Sequence, residues 1–164
     1  MHFKFSKSAQ NFFSNIMPSG GSHGTKGKNK FEIQFDVYYC CAMIGMAAIE
    51  LDEDTTDLTD LIEGYPKPYM DCKAQIAGLL VATEAKRQDI DMKGDGLEKM
   101  MLHYLSDNET MLSEEGVKTL NAYALRGFQL IQEYPLGQKP MSREEFLEAF
   151  HRAIQMYKRE SLEW

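Results

Sequence analysis

The sequence has few cysteines, no long apolar run and no leader-like start, and each absence excludes a class of protein. The three cysteines, Cys40, Cys41 and Cys72, have the spacing of neither a disulfide framework nor a zinc site. The longest apolar stretch, residues 37–49, is too short to cross a bilayer. The first ten residues lack the apolar run of a signal peptide. We therefore expect a reduced, cytoplasmic protein with no membrane segment.

The sequence also lacks a complete phosphate-binding motif, although residues 19–30, SGGSHGTKGKNK, are rich in glycine and lysine. A Walker loop needs a glycine five residues before the glycine of its Gly-Lys pair and a serine or threonine after the lysine. Here Ser22 stands five residues before Gly27, and Asn29 follows Lys28. We predict a flexible, basic linker instead, since glycine, serine and lysine without apolar residues rarely become ordered.

Positive charge is concentrated at the start of the chain. Residues 1–30 contain five lysines and no acid, whereas residues 31–164 contain 13 basic and 25 acidic side chains, so the whole chain carries −7. A basic arm on an acidic body can contact phosphate or an acidic partner, or it can fold over the acidic face of its own chain. The candidate nucleic-acid or anion contacts are Lys26, Lys28 and Lys30, which would give weak, salt-dependent binding.

The pattern of apolar residues predicts an all-α fold, a compact bundle of five to six helices. Residues 1–30 are expected to form a short helix followed by the flexible basic linker, and residues 31–164 a single helical domain. Residues 30–50 begin with a strand-like alternation over 31–37 but continue with small residues and methionines, which favours one buried central helix. Residues 50–69 are predicted to be an acidic loop with room for one short helix.

Local signals mark the later helices. Ser113 is a natural N-cap, and Glu114 and Glu115 follow it in the first turn. Ser142 and Glu145 form a capping-box pattern at the start of the last helix. The predicted helices cover residues 70–88, 97–105, 113–134 and 141–160.

The acidic loop has part of a calcium-binding pattern. Asp52, Asp54, Asp60 and Glu63 match positions 1, 3, 9 and 12 of a calcium loop, but Asp57 stands at position 6, where the sharp turn needs glycine. Because residues 50–63 contain seven acids and no base, a solvated acidic surface or a docking face for a basic partner is the favoured interpretation. The calcium site is the weaker alternative.

A second metal pattern is also incomplete. Glu148 and His151 form one Glu-x-x-His unit, whereas a di-iron bundle needs two such units and two further glutamates. An exposed His151 beside the apolar stripe of the last helix is therefore favoured, and we predict no metal and no cofactor.

Three charged residues, Asp36, Glu84 and Arg126, interrupt apolar helical faces. A buried charge is costly unless it is paired, so we expect a buried Asp36–Arg126 or Glu84–Arg126 bridge. The functional alternative is a carboxylate pair of Asp36 and Glu84 with a raised pKa. The structural bridge is favoured, because no histidine, serine or lysine accompanies the two acids in sequence.

These observations favour a non-catalytic helical accessory subunit or adaptor that binds a larger protein partner. The support is the lack of a complete catalytic motif, the eleven methionines suited to adaptable apolar surfaces, and the opposite charge of the two ends. A subunit of a bacterial nucleic-acid-handling or anti-phage defence complex is one form of this hypothesis. The alternatives are a nucleic-acid-binding accessory protein that uses its basic arm, and a metal- or carboxylate-dependent enzyme.

Overall fold

A computed structural model describes residues 1–18 and 29–162 of the chain. Over these residues the protein is mostly helical, at 61% helix, with six α-helices and a small two-stranded sheet. The expected helical bundle is therefore present, but the fold is not purely all-α. The helices are α1 (Lys7–Phe12), α2 (Gln34–Ala48), α3 (Lys73–Arg87), α4 (Asp95–Tyr104), α5 (Glu114–Ile131) and α6 (Arg143–Leu162), and the strands are β1 (His2–Ser6) and β2 (Leu58–Glu63).

The sheet joins the start of the chain to the acidic loop. β1 and β2 pair antiparallel, with His2 opposite Glu63 and a register shift after Phe3. Phe3 and Phe5 alternate with polar residues along β1 and are fully buried, as the two-residue period of a strand requires. The prediction of a loop over residues 58–63 is therefore wrong.

The N-terminal residues are part of the hydrophobic core. The rings of Phe5 and Phe13 pack against Phe128 of α5, with centroids 6.5 Å and 5.6 Å from that ring. Residues 1–18 thus share one core with α2, α5 and α6, which differs from the expected boundary at residue 30. Most of the predicted flexible linker, residues 19–28, lies outside the described residues.

The centre of the fold is a close crossing of α2 and α5. A Cβ atom added at Gly127 would overlap the carbonyl oxygen of Cys41, and one added at Gly45 would overlap that of Tyr123. Only glycine permits this approach of the two backbones. The central buried helix that was expected from residues 30–50 is therefore present as α2, although it begins at Gln34, so that Phe35 and Val37 of the strand-like stretch are helical.

The predicted capping signals are present at the last two long helices. Ser113 Oγ accepts a hydrogen bond from the amide of Gly116 at 3.0 Å, and Ser142 Oγ accepts one from the amide of Glu145 at 3.1 Å. These bonds satisfy amide groups that have no partner within the helix. Within the described part of the chain, no helix combines the length and apolarity needed to cross a membrane.

Candidate functional site

A cleft of about 660 Å³ opens between the solvent face of the sheet, the loop before β2 and the first half of α5. We call it the acidic cleft, because five carboxylates line it: Asp52 and Glu53 from the loop, Asp60 from β2, and Glu114 and Glu115 from α5. Its volume lies within the range of small-molecule pockets.

Only part of this negative charge is neutralised by the protein itself. Lys4 Nζ lies 3.7 Å from Asp60, and Lys118 Nζ lies 4.0 Å from Glu115. Among the described residues, no salt bridge reaches the other three acids of the cleft. Both lysine pairs are solvent-exposed, so each contributes little to stability. The cleft therefore retains a net negative charge that is available to a positively charged ligand.

Local hydrogen bonds hold the walls of the cleft in place. The amide of Asp52 donates to the carbonyl of Ala122 at 3.1 Å, and its carboxylate accepts from Gln129 Nε2 at 2.8 Å. These two contacts attach the loop to α5. A hydrogen bond from the backbone amide of Thr56 lowers the pKa of Asp54 in the same loop, and hydrogen bonds from the side chain and the backbone amide of Ser8 lower the pKa of Asp57.

Asn121 contributes a buried polar group to the cleft lining, with a relative exposure of 5%. Its Oδ1 accepts from the amide of Lys4 at 3.0 Å and from Tyr38 Oη at 2.6 Å. Because the Lys4 amide can only donate, Oδ1 must face it, which fixes the orientation of the side-chain amide. The Nδ2 group has no hydrogen-bond partner among the described residues.

The Nδ2 group of Asn121 is not sealed inside the protein. In the described part of the chain, the only fully buried side-chain polar atom without a partner is Tyr65 Oη. Nδ2 is therefore not fully buried, and Asn121 is one of the residues that line the cleft. It offers two N–H donors to whatever occupies this space.

The four acids of the weaker calcium alternative do not come together. Asp52 and Asp60 line the cleft, but Asp60 pairs with Lys4, and Glu63 lies 3.9 Å from the amino terminus of Met1. Asp60 and Glu63 belong to a strand, which cannot wrap around an ion as a calcium loop does. The described residues include no group of three potential metal ligands, and Glu148 and His151 are both exposed.

A second feature is the single carboxylate of Glu84, which lies on α3 and is fully buried. The carboxylate accepts hydrogen bonds from Arg87 Nε at 2.8 Å and Nη2 at 2.7 Å, from Gln88 Nε2 at 2.8 Å, and from Tyr104 Oη at 2.8 Å. Tyr123 Oη donates a fifth, short hydrogen bond. We call this the Glu84 network.

The Glu84 network keeps its carboxylate ionised. Burial raises the pKa of Glu84, but the donors from Arg87, Tyr123, Tyr104 and Gln88 together lower the pKa to about 2. Burial and the carboxylate also raise the pKa of Tyr104 and Tyr123, so both tyrosines stay protonated and continue to donate. A carboxylate with such a low pKa and five donors is a poor general base.

The expected buried bridges through Arg126 are wrong. Arg126 Nη2 lies 2.7 Å from Glu50, where a third of the arginine side chain is exposed. Glu84 instead forms an ion pair with Arg87, one helical turn further along α3. Asp36 accepts a hydrogen bond from Tyr69 Oη at 2.6 Å. Burial raises the pKa of Asp36, and the Tyr69 hydrogen bond opposes this rise. The two acids therefore have separate partners, in place of one shared arginine.

The candidate lysines of the basic arm are only partly described. Lys26 and Lys28 lie outside the described residues, and Lys30 is half-buried. The carbonyl of the neighbouring Asn29 accepts from the amide of Arg143, at 2.9 Å. The end of this segment is thus anchored at the start of α6.

No known protein family, curated protein or solved structure matches this chain significantly. Its function is therefore inferred from the chemistry of the acidic cleft and the Glu84 network.

Proposed function

We propose that the chain is a non-catalytic accessory subunit or adaptor, which binds a positively charged region of a larger protein through the acidic cleft. The observation that carries the proposal is the excess of carboxylates in the cleft, five against the two lysines Lys4 and Lys118. A concave surface of one sign of charge concentrates the electric field and attracts partners of the opposite sign.

An exposed apolar surface on α4 also suits an assembly subunit. Leu102 is 76% exposed and its neighbour Met101 is 45% exposed. Large apolar side chains in adjacent exposed positions favour protein contacts, and methionine adapts well to different partners.

The chemistry of the cleft favours binding over catalysis. Its described lining has no serine, cysteine or arginine, and its histidine, His2, lies 4.0 Å from Asp60. A catalytic site needs a nucleophile, a base and a group that stabilises developing charge. The most shifted carboxylate of the described residues, Glu84, is sealed by its donors and offers no access to a substrate.

The charge of the cleft also disfavours nucleic acid as its ligand, since carboxylates repel phosphates. Nucleic-acid binding through Lys26, Lys28 and Lys30 is thus a separate alternative, which the same experiment distinguishes.

The test is recovery of the tagged full-length chain from its native host at physiological salt, before and after treatment with nuclease. The cleft variant carries Glu53→Gln and Glu114→Gln. The control variant carries Glu98→Gln and Glu148→Gln, which remove the same charge from exposed positions outside the cleft.

We expect a protein partner in stoichiometric amount with the natural chain and the control, and its loss from the cleft variant. A partner retained equally by all three chains would show that the cleft is not the docking surface. Recovery of nucleic acid alone, lost after nuclease, would overturn the adaptor proposal in favour of the basic arm.

A further inference from the structure

We infer that the occupant of the acidic cleft is an extended peptide segment that carries lysine or arginine, and that Asn121 Nδ2 donates to a backbone carbonyl of this segment. This inference rests on the proposed function and specifies the part of the partner that is recognised.

Asn121 is the residue that selects a peptide over other cations. Its Oδ1 is fully used by Lys4 and Tyr38, so the side chain can offer only N–H donors to a ligand. A metal ion or a polyamine would satisfy the carboxylates but has no acceptor for these donors. An anion has acceptors but is repelled by the five acids. A basic peptide supplies both the positive charge and the carbonyl oxygen.

The burial of Asn121 makes this donor significant. The residue is 5% exposed, so its Nδ2 group is held rigidly and is poorly hydrated. A donor left unpaired in such a position costs more than one at the surface. A carbonyl that replaces the few water contacts of Nδ2 therefore adds both affinity and orientation.

The arrangement of the acids predicts the spacing of the basic residues. Asp52 is attached to α5 at Ala122, whereas Glu114 lies eight residues earlier on the same helix. Eight residues of α-helix span about 12 Å. An extended segment covers this distance in about four residues. Two basic side chains at positions i and i+4 would thus have about the spacing of the Asp52 and Glu114 backbones, which lie on the lining of the cleft.

The experiment is a nuclear magnetic resonance titration of the full chain with a capped pentapeptide. The peptide has lysine at positions one and five, with threonine, valine and threonine between them. One control peptide replaces both lysines by glutamine, and spermidine tests positive charge without a peptide carbonyl. The readouts are the dissociation constant and the side-chain amide signals of Asn121.

The key variant is Asn121→Asp. It retains an acceptor for the Lys4 amide and for Tyr38 Oη, removes the N–H donors, and adds one negative charge to the cleft. If attraction of charge alone held the peptide, this variant would bind more tightly. If Nδ2 donates to a carbonyl, it should bind about tenfold more weakly despite the extra charge.

The natural chain gives a second readout, which does not depend on whether Asn121→Asp folds. We expect the lysine peptide to shift the Asn121 side-chain protons, and spermidine and the glutamine peptide to leave them in place. Equal shifts with spermidine, or tighter binding by a folded Asn121→Asp chain, would overturn the inference. So would a lysine peptide that does not bind the cleft.

The two proposals can fail separately. If the peptide does not bind but Glu53→Gln with Glu114→Gln still loses the native partner, the adaptor role stands and the peptide inference fails. If the cleft variant also keeps its partner, the docking role of the cleft fails with it.

Discussion

The acidic cleft and the Glu84 network both place carboxylates beside α5, but they differ in how far the protein itself neutralises the negative charge. In the network, one fully buried carboxylate accepts five hydrogen bonds from four side chains. Among the residues that the structure describes, only two of the five cleft carboxylates form a salt bridge with a lysine, and both salt bridges are exposed to solvent. Helix α5 thus supplies Tyr123 to the Glu84 network, whose carboxylate is closed to solvent, and Glu114 to the acidic cleft, which is open to solvent.

This contrast shows that a shifted pKa alone does not identify a functional site. Glu84 has a strongly lowered pKa, which is a common mark of functional residues. Its donors, however, leave no free acceptor for a ligand. Three acids of the cleft lack a salt bridge among the described residues, and they can bind something outside the chain. We therefore interpret the network as structural and the cleft as a binding surface.

The largest expected effect is that of Glu84→Gln on stability. The change leaves the hydroxyls of Tyr104 and Tyr123 without their carboxylate acceptor, and each buried donor left unsatisfied costs about 1–3 kcal/mol. Arg87 is 38% exposed and regains water, so we expect a total loss of about 2–4 kcal/mol. Urea unfolding should show this loss, while the exposed control Glu98→Gln should change the free energy of unfolding by less than about 0.5 kcal/mol. Equal stability of the two variants would contradict a structural role for the network.

The Glu84 network should also make the free energy of unfolding depend on pH in the acidic range. The pKa of Glu84 is lowered from 4.5 to about 2 in the folded chain, so its contribution is fully present above pH 4.5 and is lost as the pH falls toward 2. The stability difference between the natural chain and Glu84→Gln should narrow over this interval in unfolding curves. A constant difference would show that ionisation of Glu84 does not stabilise the fold.

An intermediate effect is expected from Gly116→Ala. A Cβ atom at Gly116 would overlap the carbonyl oxygen of Tyr104, and the resulting shift of α4 would weaken the network. We expect a loss of about 1–3 kcal/mol. The matched control is Gly78→Ala on α3, where a Cβ atom meets no neighbour and should stabilise the helix by about 0.5–1 kcal/mol. Thermal unfolding with the same sign for both variants would contradict this packing.

The smallest effect on stability is expected in the cleft. Glu53→Gln with Glu114→Gln removes an exposed charge from the loop and one from the first turn of α5. The lost helix-dipole interaction of Glu114 is offset by reduced repulsion among the acids, so stability should change by less than about 1 kcal/mol. A loss as large as that of Glu84→Gln in urea would mean that the cleft acids are structural too.

Helices were predictable where their signals are local. The capping residues Ser113 and Ser142 and the apolar periodicity predicted α5 and α6 to within a few residues. The sheet was missed, because β1 is only five residues long and pairs with a strand more than fifty residues away. Neither segment shows by itself which partner it will meet.

The candidate site was predictable only in part. The acidic loop was recognised as a possible docking face, and it contributes Asp52 and Glu53 to the cleft. That Glu114 would join them depends on the tertiary fold, as does the exposed donor of Asn121. The Glu84–Arg87 pair has a local signal, since residues three apart lie on the same face of a helix. The sequence prediction paired Glu84 with the distant Arg126 and so missed this local pair.

The most direct test of the contrast is a map of backbone chemical shifts during titration with the lysine pentapeptide. The account predicts shifts that saturate together at the cleft, from Asp52, Glu53, Asp60 and the first turns of α5, with little change at Glu84, Arg87 and Tyr104. Saturable shifts centred on the Glu84 network, or on neither region, would contradict the claim that the open carboxylates bind and the closed one only supports the fold.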